Sequence, residues 1–119
     1  MLPAQYRMRR SADFSHTVKY GVRASQPDVV VHACRAAAPD DMEPRVGFIV
    51  AKSVGGAVDR HRVARRLRHA ARLVISELDP ADRIVVRALP SSREAESSRL
   101  GAQLLTGVRR AHDLMERRR

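Results

Sequence analysis

The chain has 119 residues, 44% of them hydrophobic and 3% aromatic, with 23 basic against 13 acidic side chains and a formal net charge of +10. That length fits one domain over residues 1–119 and leaves too little chain for two good cores. The ordinary apolar fraction argues against wholesale disorder, no apolar run approaches the roughly 20 residues needed to span a bilayer, and a charge this far from zero points to a polyanionic partner, nucleic acid first.

Residues 1–10, MLPAQYRMRR, read as a basic N-terminal arm with no apolar stretch of the kind a signal peptide needs. Ser11 is placed to cap a helix over Ser11 to Tyr20, with Asp13 in its first turn complementing the dipole. Phe14 and Val18, four apart, share a face, and Gly21 is a stop. DVVVHACRA, Asp28 to Ala36, is rich in β-branched residues and reads as a strand. Val29, Val31 and Ala33 point one way along it; Val30, His32 and Cys34 point the other. Cys34 is the single cysteine, so an internal disulfide is excluded and a small buried residue in a reducing cytosol is expected.

AAPDDMEP carries turn chemistry, and the short 39–44 connection makes a hairpin the simplest pairing with a second strand, Arg45 to Lys52. Gly55 and Gly56 then break the chain. A long helix is expected from Ala57 to Leu78, ended by Asp79 and Pro80. DRIVVRAL, Asp82 to Leu89, reads as a third strand. After a break at Pro90 to Ser92, Leu100, Leu104, Leu105 and Val108 fall at helical spacing within a last helix from Glu94 to Met115. Residues 116–119, ERRR, read as a flexible tail.

The most informative stretch is KSVGGAVDRHRVARRLRHAAR, Lys52 to Arg72. Seven of its residues are basic and only Asp59 is acidic. At about 100° per residue, Val63, Leu67, Ala70, Ala71, Val74 and Leu78 form one stripe, and Arg62, Arg65, Arg66, Arg68, His69 and Arg72 gather opposite it. A solvated face usually mixes signs and gains a few tenths of a kcal/mol per i,i+4 pair. This one sets like charges side by side, a local cost that phosphates would cancel. Arg60 and Arg62 sit in the first turns, where the dipole is positive and a phosphate would meet free N–H groups and arginines together. Only Lys19 and Lys52 are lysines; arginine's planar fork suits phosphate and stacks on bases. The glycine pair is not a nucleotide-binding P-loop, because the Gly-Lys-Ser/Thr is missing.

The pattern K-x-x-G-x-A-V-x-R-x-R-x-x-R-x-x-R, Lys52 to Arg68, resembles the signature of the protein component of bacterial ribonuclease P. Arg9–Arg10–Ser11–Ala12–Asp13–Phe14 resembles the opening of that family's first helix. Arg45–Val46–Gly47–Phe48 and Asp82–Arg83–Ile84–Val85–Val86–Arg87 resemble the strands on either side of the signature. The resemblance implies an α+β fold: an αβββαβα two-layer sandwich with a mostly antiparallel sheet and an unusual left-handed β-α-β crossover. It leaves room for a short extra strand at Val22 to Ser25.

It further implies an accessory subunit of an endoribonuclease that removes the 5′ leader of precursor tRNA, with the chemistry carried by a catalytic RNA and Mg²⁺ held mainly by that RNA. The implied RNA-binding residues are Lys52, Gly55, Arg60, His61, Arg62, Arg65, Arg66, Arg68, Arg72, Arg9 and Arg10. The implied leader cleft is Phe14, Val18, Val30 and His32, with no catalytic or metal-binding residue in this chain. The implied partners are the catalytic RNA and precursor tRNA, with no membrane, no small-molecule substrate, a monomer when free and a cytoplasmic location. Many family members carry Asn at the positions of His61 and Gly56, and aromatics are frequent at those of Val18 and His32. Base stacking is worth about 1–3 kcal/mol per base, so leader contacts here are expected to be weaker or more polar.

Three other readings are weighed against this one. A protein nuclease using His61 or His69 as acid or base lacks paired carboxylates nearby. A DNA-binding helix-turn-helix fails because a strand, RVGFIVAK, occupies the place of the partner helix. A ribosome-associated or other structured-RNA-binding protein without a role in cleavage shares the composition, and only the signature spacing separates it.

Overall fold

The computed structural model describes residues 2–37 and 43–118. Helix α1 is Ser11–Tyr20, followed by strands β1 Val22–Ser25, β2 Val29–Arg35 and β3 Arg45–Ile49, helix α2 Ala57–Ala71, strand β4 Asp82–Ala88 and helix α3 Ser97–Arg117. The order is αβββαβα, with the short strand at 22–25 present. Among the described residues, four short 3₁₀ segments fill Ala4–Tyr6, Lys52–Val54, Ile75–Glu77 and Pro90–Glu94.

The sheet order is β1-β2-β4-β3. β2 runs antiparallel to β1 and β4, while β3 is parallel to β4. The expected β2–β3 hairpin is therefore corrected: β4 lies between the two strands. Nine residues separate Arg35 from Arg45, too many for the two-residue turn that would force neighbours to pair (residues 38–42 of that connection lie outside the described part). β4 also has the stronger claim to the centre. Ile84, Val85 and Val86 are buried on both faces, and a strand apolar on both sides is least costly between two others. α2 then links β3 to its parallel neighbour β4, as a parallel pair requires.

Register assigns the two faces. Val29, Val31 and Ala33 stand level with Ala88, Val86 and Ile84, and Val46 with Ile84. These residues, with Val63, Leu67 and Ala70 of α2 and Leu100, Leu104 and Val108 of α3, form one buried cluster. Each Val, Leu or Ile side chain among them contributes about 1.5–3 kcal/mol when fully buried. α1 packs on the other face: a Cβ on Gly47 would meet the Phe14 ring at 2.4 Å, and Thr17 Oγ1 lies 3.5 Å from Cys34 Sγ.

Several boundaries differ from expectation. Ser11 is the first helical residue of α1, not its cap; Arg10 is the cap residue, and no side chain bonds there. α2 ends at Ala71 rather than Leu78, because the N–H groups of Arg72, Leu73 and Val74 bond three residues back, to His69, Ala70 and Ala71. That tightening turns Val74 into the core and leaves Leu73 66% exposed. α3 starts three residues late, since Pro90–Glu94 coils separately, and it continues through Glu116 and Arg117. Glu116 and Arg118, expected in a tail, are held: Glu116 pairs with Arg35 at 3.2 Å, and Arg118 donates to the Tyr20 carbonyl; Arg119 lies outside the described residues. The N-terminal arm is also docked. Leu2 and Met8 are buried, Arg7 bridges Val46 in parallel, and Arg45 donates to the Gln5 carbonyl. This segment covers the β3 edge, which would otherwise present unpaired backbone groups.

Candidate nucleic-acid interface

The basic helix is amphipathic as its spacing demands, but its cations take three directions. Val63, Leu67, Ala70 and Ala71 are buried against the sheet and α3. Arg62, Arg65, His69 and Arg72 are exposed on the outward side. Arg62 meets Asp59 at 3.9 Å, a surface pair of small value. Arg66 lies to one flank, half-buried, and donates to the carbonyls of Arg93 and Ala95 at 3.3 and 3.2 Å. The expected single arginine face is corrected there: Arg66 helps fasten the turn before α3. Arg65, Arg66 and His69 line an open cavity of about 450 Å³ with Ser97 of α3.

Arg60 and Arg68 lie to the other flank. With His61, Ala57 and Ala64 they form one wall of an open groove of about 480 Å³. The remaining lining is Arg7 and Met8 from the N-terminal segment, Phe14 of α1, and Val46, Gly47, Phe48 and Val50 on and after β3. The Nε atoms of Arg7, Arg60 and Arg68 are all buried without a hydrogen-bond partner. Unpaired buried donors are uncommon in folded proteins, and three around one groove suit a ligand with several acceptors. An apolar base with two aromatic rings under it and guanidiniums along its walls matches a nucleotide: a flat ring below, phosphate beside.

Lys52 is exposed in the 3₁₀ turn that precedes α2. Gly55 closes that turn at φ 158°, ψ −167°, a region populated essentially by glycine alone. Gly56 has φ −70° and open space where a Cβ would stand. Only the first glycine is thus required by the backbone. Arg9 and Arg10 are exposed at the start of α1. Phe14 and Val18 are half-buried. Val30 and His32 lie on the α1 face of the sheet, as alternation indicates, but at 1% and 3% exposure they form its floor.

Sequence reading missed Arg7, Met8, Phe48 and Val50 in the groove. Phe48 carried a signal, since it alternates with Gly47 along a strand. Arg7 carried none, because its place depends on the arm docking against β3.

One cluster of metal-type ligands stands apart. Asp79, Asp82 and His112 bring ligand atoms within 4.8 Å of one another. Arg35 already bonds both carboxylates, at 3.0 and 3.3 Å, and His112 Nε2 bonds Asp82 at 2.7 Å. This is an internal ion-pair network joining β2, β4 and α3, with its donors and acceptors satisfied by one another. Among the described residues no helix is long and apolar enough to cross a membrane.

Comparison with known proteins gives the family. A family model described as Ribonuclease P matches residues 2–112. The ribonuclease P protein component of Mycobacterium ulcerans (strain Agy99) is 59% identical over 114 residues, covering 95% of each chain. That of Mycobacterium avium (strain 104) is 58% identical over 112 residues, covering 92% of this chain and 94% of the relative. A solved Staphylococcus aureus RNase P protein, a mutant with defective mRNA degradation activity, superposes with a TM-score of 0.78 at 26% identity, covering 91% of this chain and 89% of that one. The family match, the sequence identity and the fold thus agree, and the chain belongs to the ribonuclease P protein family: it is the protein subunit of a metal-dependent, RNA-containing endoribonuclease that matures the 5′ ends of tRNA, with the catalysis residing in the RNA.

Proposed function

We propose that this chain uses its two basic surfaces for two different RNAs. The outward side of α2, with Arg62, Arg65, His69 and Arg72, docks on the catalytic RNA, supported at its N-terminal end by Lys52 and Gly55. The groove of Arg7, Phe14, Phe48, Arg60, His61 and Arg68, continued onto the α1 face of the sheet by Val18, Val30 and His32, holds the single-stranded 5′ leader of precursor tRNA. Arg9 and Arg10, exposed where α1 begins, extend the positive field along that path. Mg²⁺, held mainly by the RNA, supplies the hydrolytic chemistry; this chain's residues bind and orient RNA. The protein acts as a monomer before assembly, in the cytoplasm.

The observation that carries this reading is the lack of counterions. Among the described residues, the basic side chains of α2 have one acidic neighbour in reach, Asp59 at 3.9 Å from Arg62. A solvated basic face would gain by mixing in acids; a surface built against phosphates would not. The test is the double change Arg62→Ala and Arg65→Ala. Affinity for the catalytic RNA, measured by filter binding, is expected to fall at least tenfold, at about 1.5–3 kcal/mol per charge-assisted contact. Melting temperature should move little, because both side chains are exposed. Unaltered RNA affinity in a folded double variant overturns the assignment of the outward side.

A further inference from the structure

The N-terminal segment is pinned at two points and exposed between them. Leu2 is 2% exposed within the main core cluster, and Met8 is 7% exposed. Pro3, Ala4 and Gln5 between them are exposed. At the second pin the Met8 N–H donates to the Val46 carbonyl at 2.9 Å, and Arg7 bridges Val46 in parallel. The segment thereby extends the sheet beyond its edge strand β3. Gly47 makes the close approach possible, since a Cβ there would stand 3.1 Å from Met8 Cβ and 2.4 Å from the Phe14 ring. Docking produces a wall: Arg7 and Met8 line the groove that Arg60, His61 and Arg68 also line. The Nε atom of Arg7 is buried there without a partner. Burying that donor unpaired opposes docking, and so does ordering the residues between the pins. Burial of the Leu2 side chain favours it. The core thus gains from Leu2 and not from Arg7, yet seating Leu2 is what carries Arg7 into place.

We infer that Leu2 is a positioning residue for RNA binding: it anchors Leu2–Met8 as a strap that carries Arg7 into the groove, and RNA bound at Arg7 in turn tightens the strap. This rests on the reading of the groove as an RNA contact and adds how one of its walls is made. With Leu2 seated, the segment has two fixed points, and Arg7, next to the second, is directed inward. With Leu2 out, only the Met8 end holds. A phosphate oxygen on Arg7 would satisfy the donor that docking leaves unpaired. A ligand that meets Arg7 only in the docked state shifts the segment toward that state, and linkage makes the effect reciprocal.

The test uses the holoenzyme reconstituted from the full chain and its catalytic RNA, with precursor tRNA carrying a long leader. Leu2→Ser, Arg7→Gln and the two together are compared over a salt series. Arg7→Gln is expected to weaken binding about fivefold and to make the log–log salt slope shallower by about 0.7, the value of one phosphate contact on a single strand. Leu2→Ser should reproduce both changes, and Leu2→Met should restore the natural values. The combined variant should fall no further than the more affected single variant, because both act through one contact. A purely structural Leu2 would lower the melting temperature and leave the salt slope alone. If Arg7→Gln acts while Leu2→Ser changes neither affinity nor slope, or if the two losses add, the groove reading stands and the strap is overturned. If Arg7→Gln has no effect, the groove reading fails at Arg7 and the inference fails with it. Should Leu2→Ser melt early, hydrogen exchange in the natural chain decides. Exchange over residues 2–8 should slow about fivefold when the long-leader substrate replaces one with a one-nucleotide leader. Equal exchange with the two substrates overturns the coupling.

Discussion

His32 shows at the scale of one residue how position rewrites chemistry. Alternation along DVVVHACRA assigned its face correctly, and resemblance to the family suggested a cleft. Neither could show that it is buried, nor that register brings Arg23 and Arg87 to its side, because cross-strand neighbours depend on which strands pair. Its protonation is opposed by burial first and by the two arginines next, so its folded pKa lies below 6.5. The sign follows from linkage. Below about pH 6.5 the unfolded chain binds a proton at this histidine that the folded chain refuses, so stability falls with acid until the folded pKa is reached. His32→Phe keeps an aromatic ring and removes the proton. Its melting temperature should therefore drop less than that of the natural chain between about pH 7.5 and about pH 5.5. Equal drops would mean that His32 is freely protonated in the fold.

α2 poses the question at the scale of an element. Its apolar stripe was legible, since Val63, Leu67, Ala70 and Ala71 follow helical spacing and all are buried. Its end was not, because the residue-by-residue spacing continues to Leu78 while the chain tightens after Ala71. The division of its arginines was also hidden. A helical projection places Arg66 and Arg68 among the outward cations, but flanking elements claim both. Arg68 faces the groove, and Arg66 holds two carbonyls of the segment before α3. Arg66→Ala should consequently act on stability, by about 1 kcal/mol for two long hydrogen bonds from a charged donor. Chemical denaturation would measure it, against near-zero change for Arg62→Ala. A destabilised Arg62→Ala with a neutral Arg66→Ala would reverse the two assignments.

At the scale of the whole molecule, the sheet has one face closed by helices and the other covered only in part. α2 and α3 bury the first face in a single apolar cluster; α1 and the N-terminal segment cover part of the second and leave a groove walled by guanidiniums. If about six arginines meet phosphates when catalytic RNA and leader are both bound, the assembly's log affinity should fall against log salt with a slope on the order of −4 to −5. Measurement across a salt series at constant Mg²⁺ would read it, and a slope near zero would exclude an electrostatic interface.

Much of this protein was settled by its local sequence. The β-branched runs fixed three of the strands, the Lys52 to Arg68 spacing fixed the family and the basic helix, and the charge surplus fixed the kind of partner, because each depends on residues close together in the chain. The tertiary structure alone decided that β4 separates β2 from β3, that the N-terminal segment seals the β3 edge, and that Arg7, Arg60 and Arg68 converge on Phe14 and Phe48. Those outcomes depend on which apolar surfaces remove each other most completely from water across dozens of intervening residues, and on which polar groups are then left without partners.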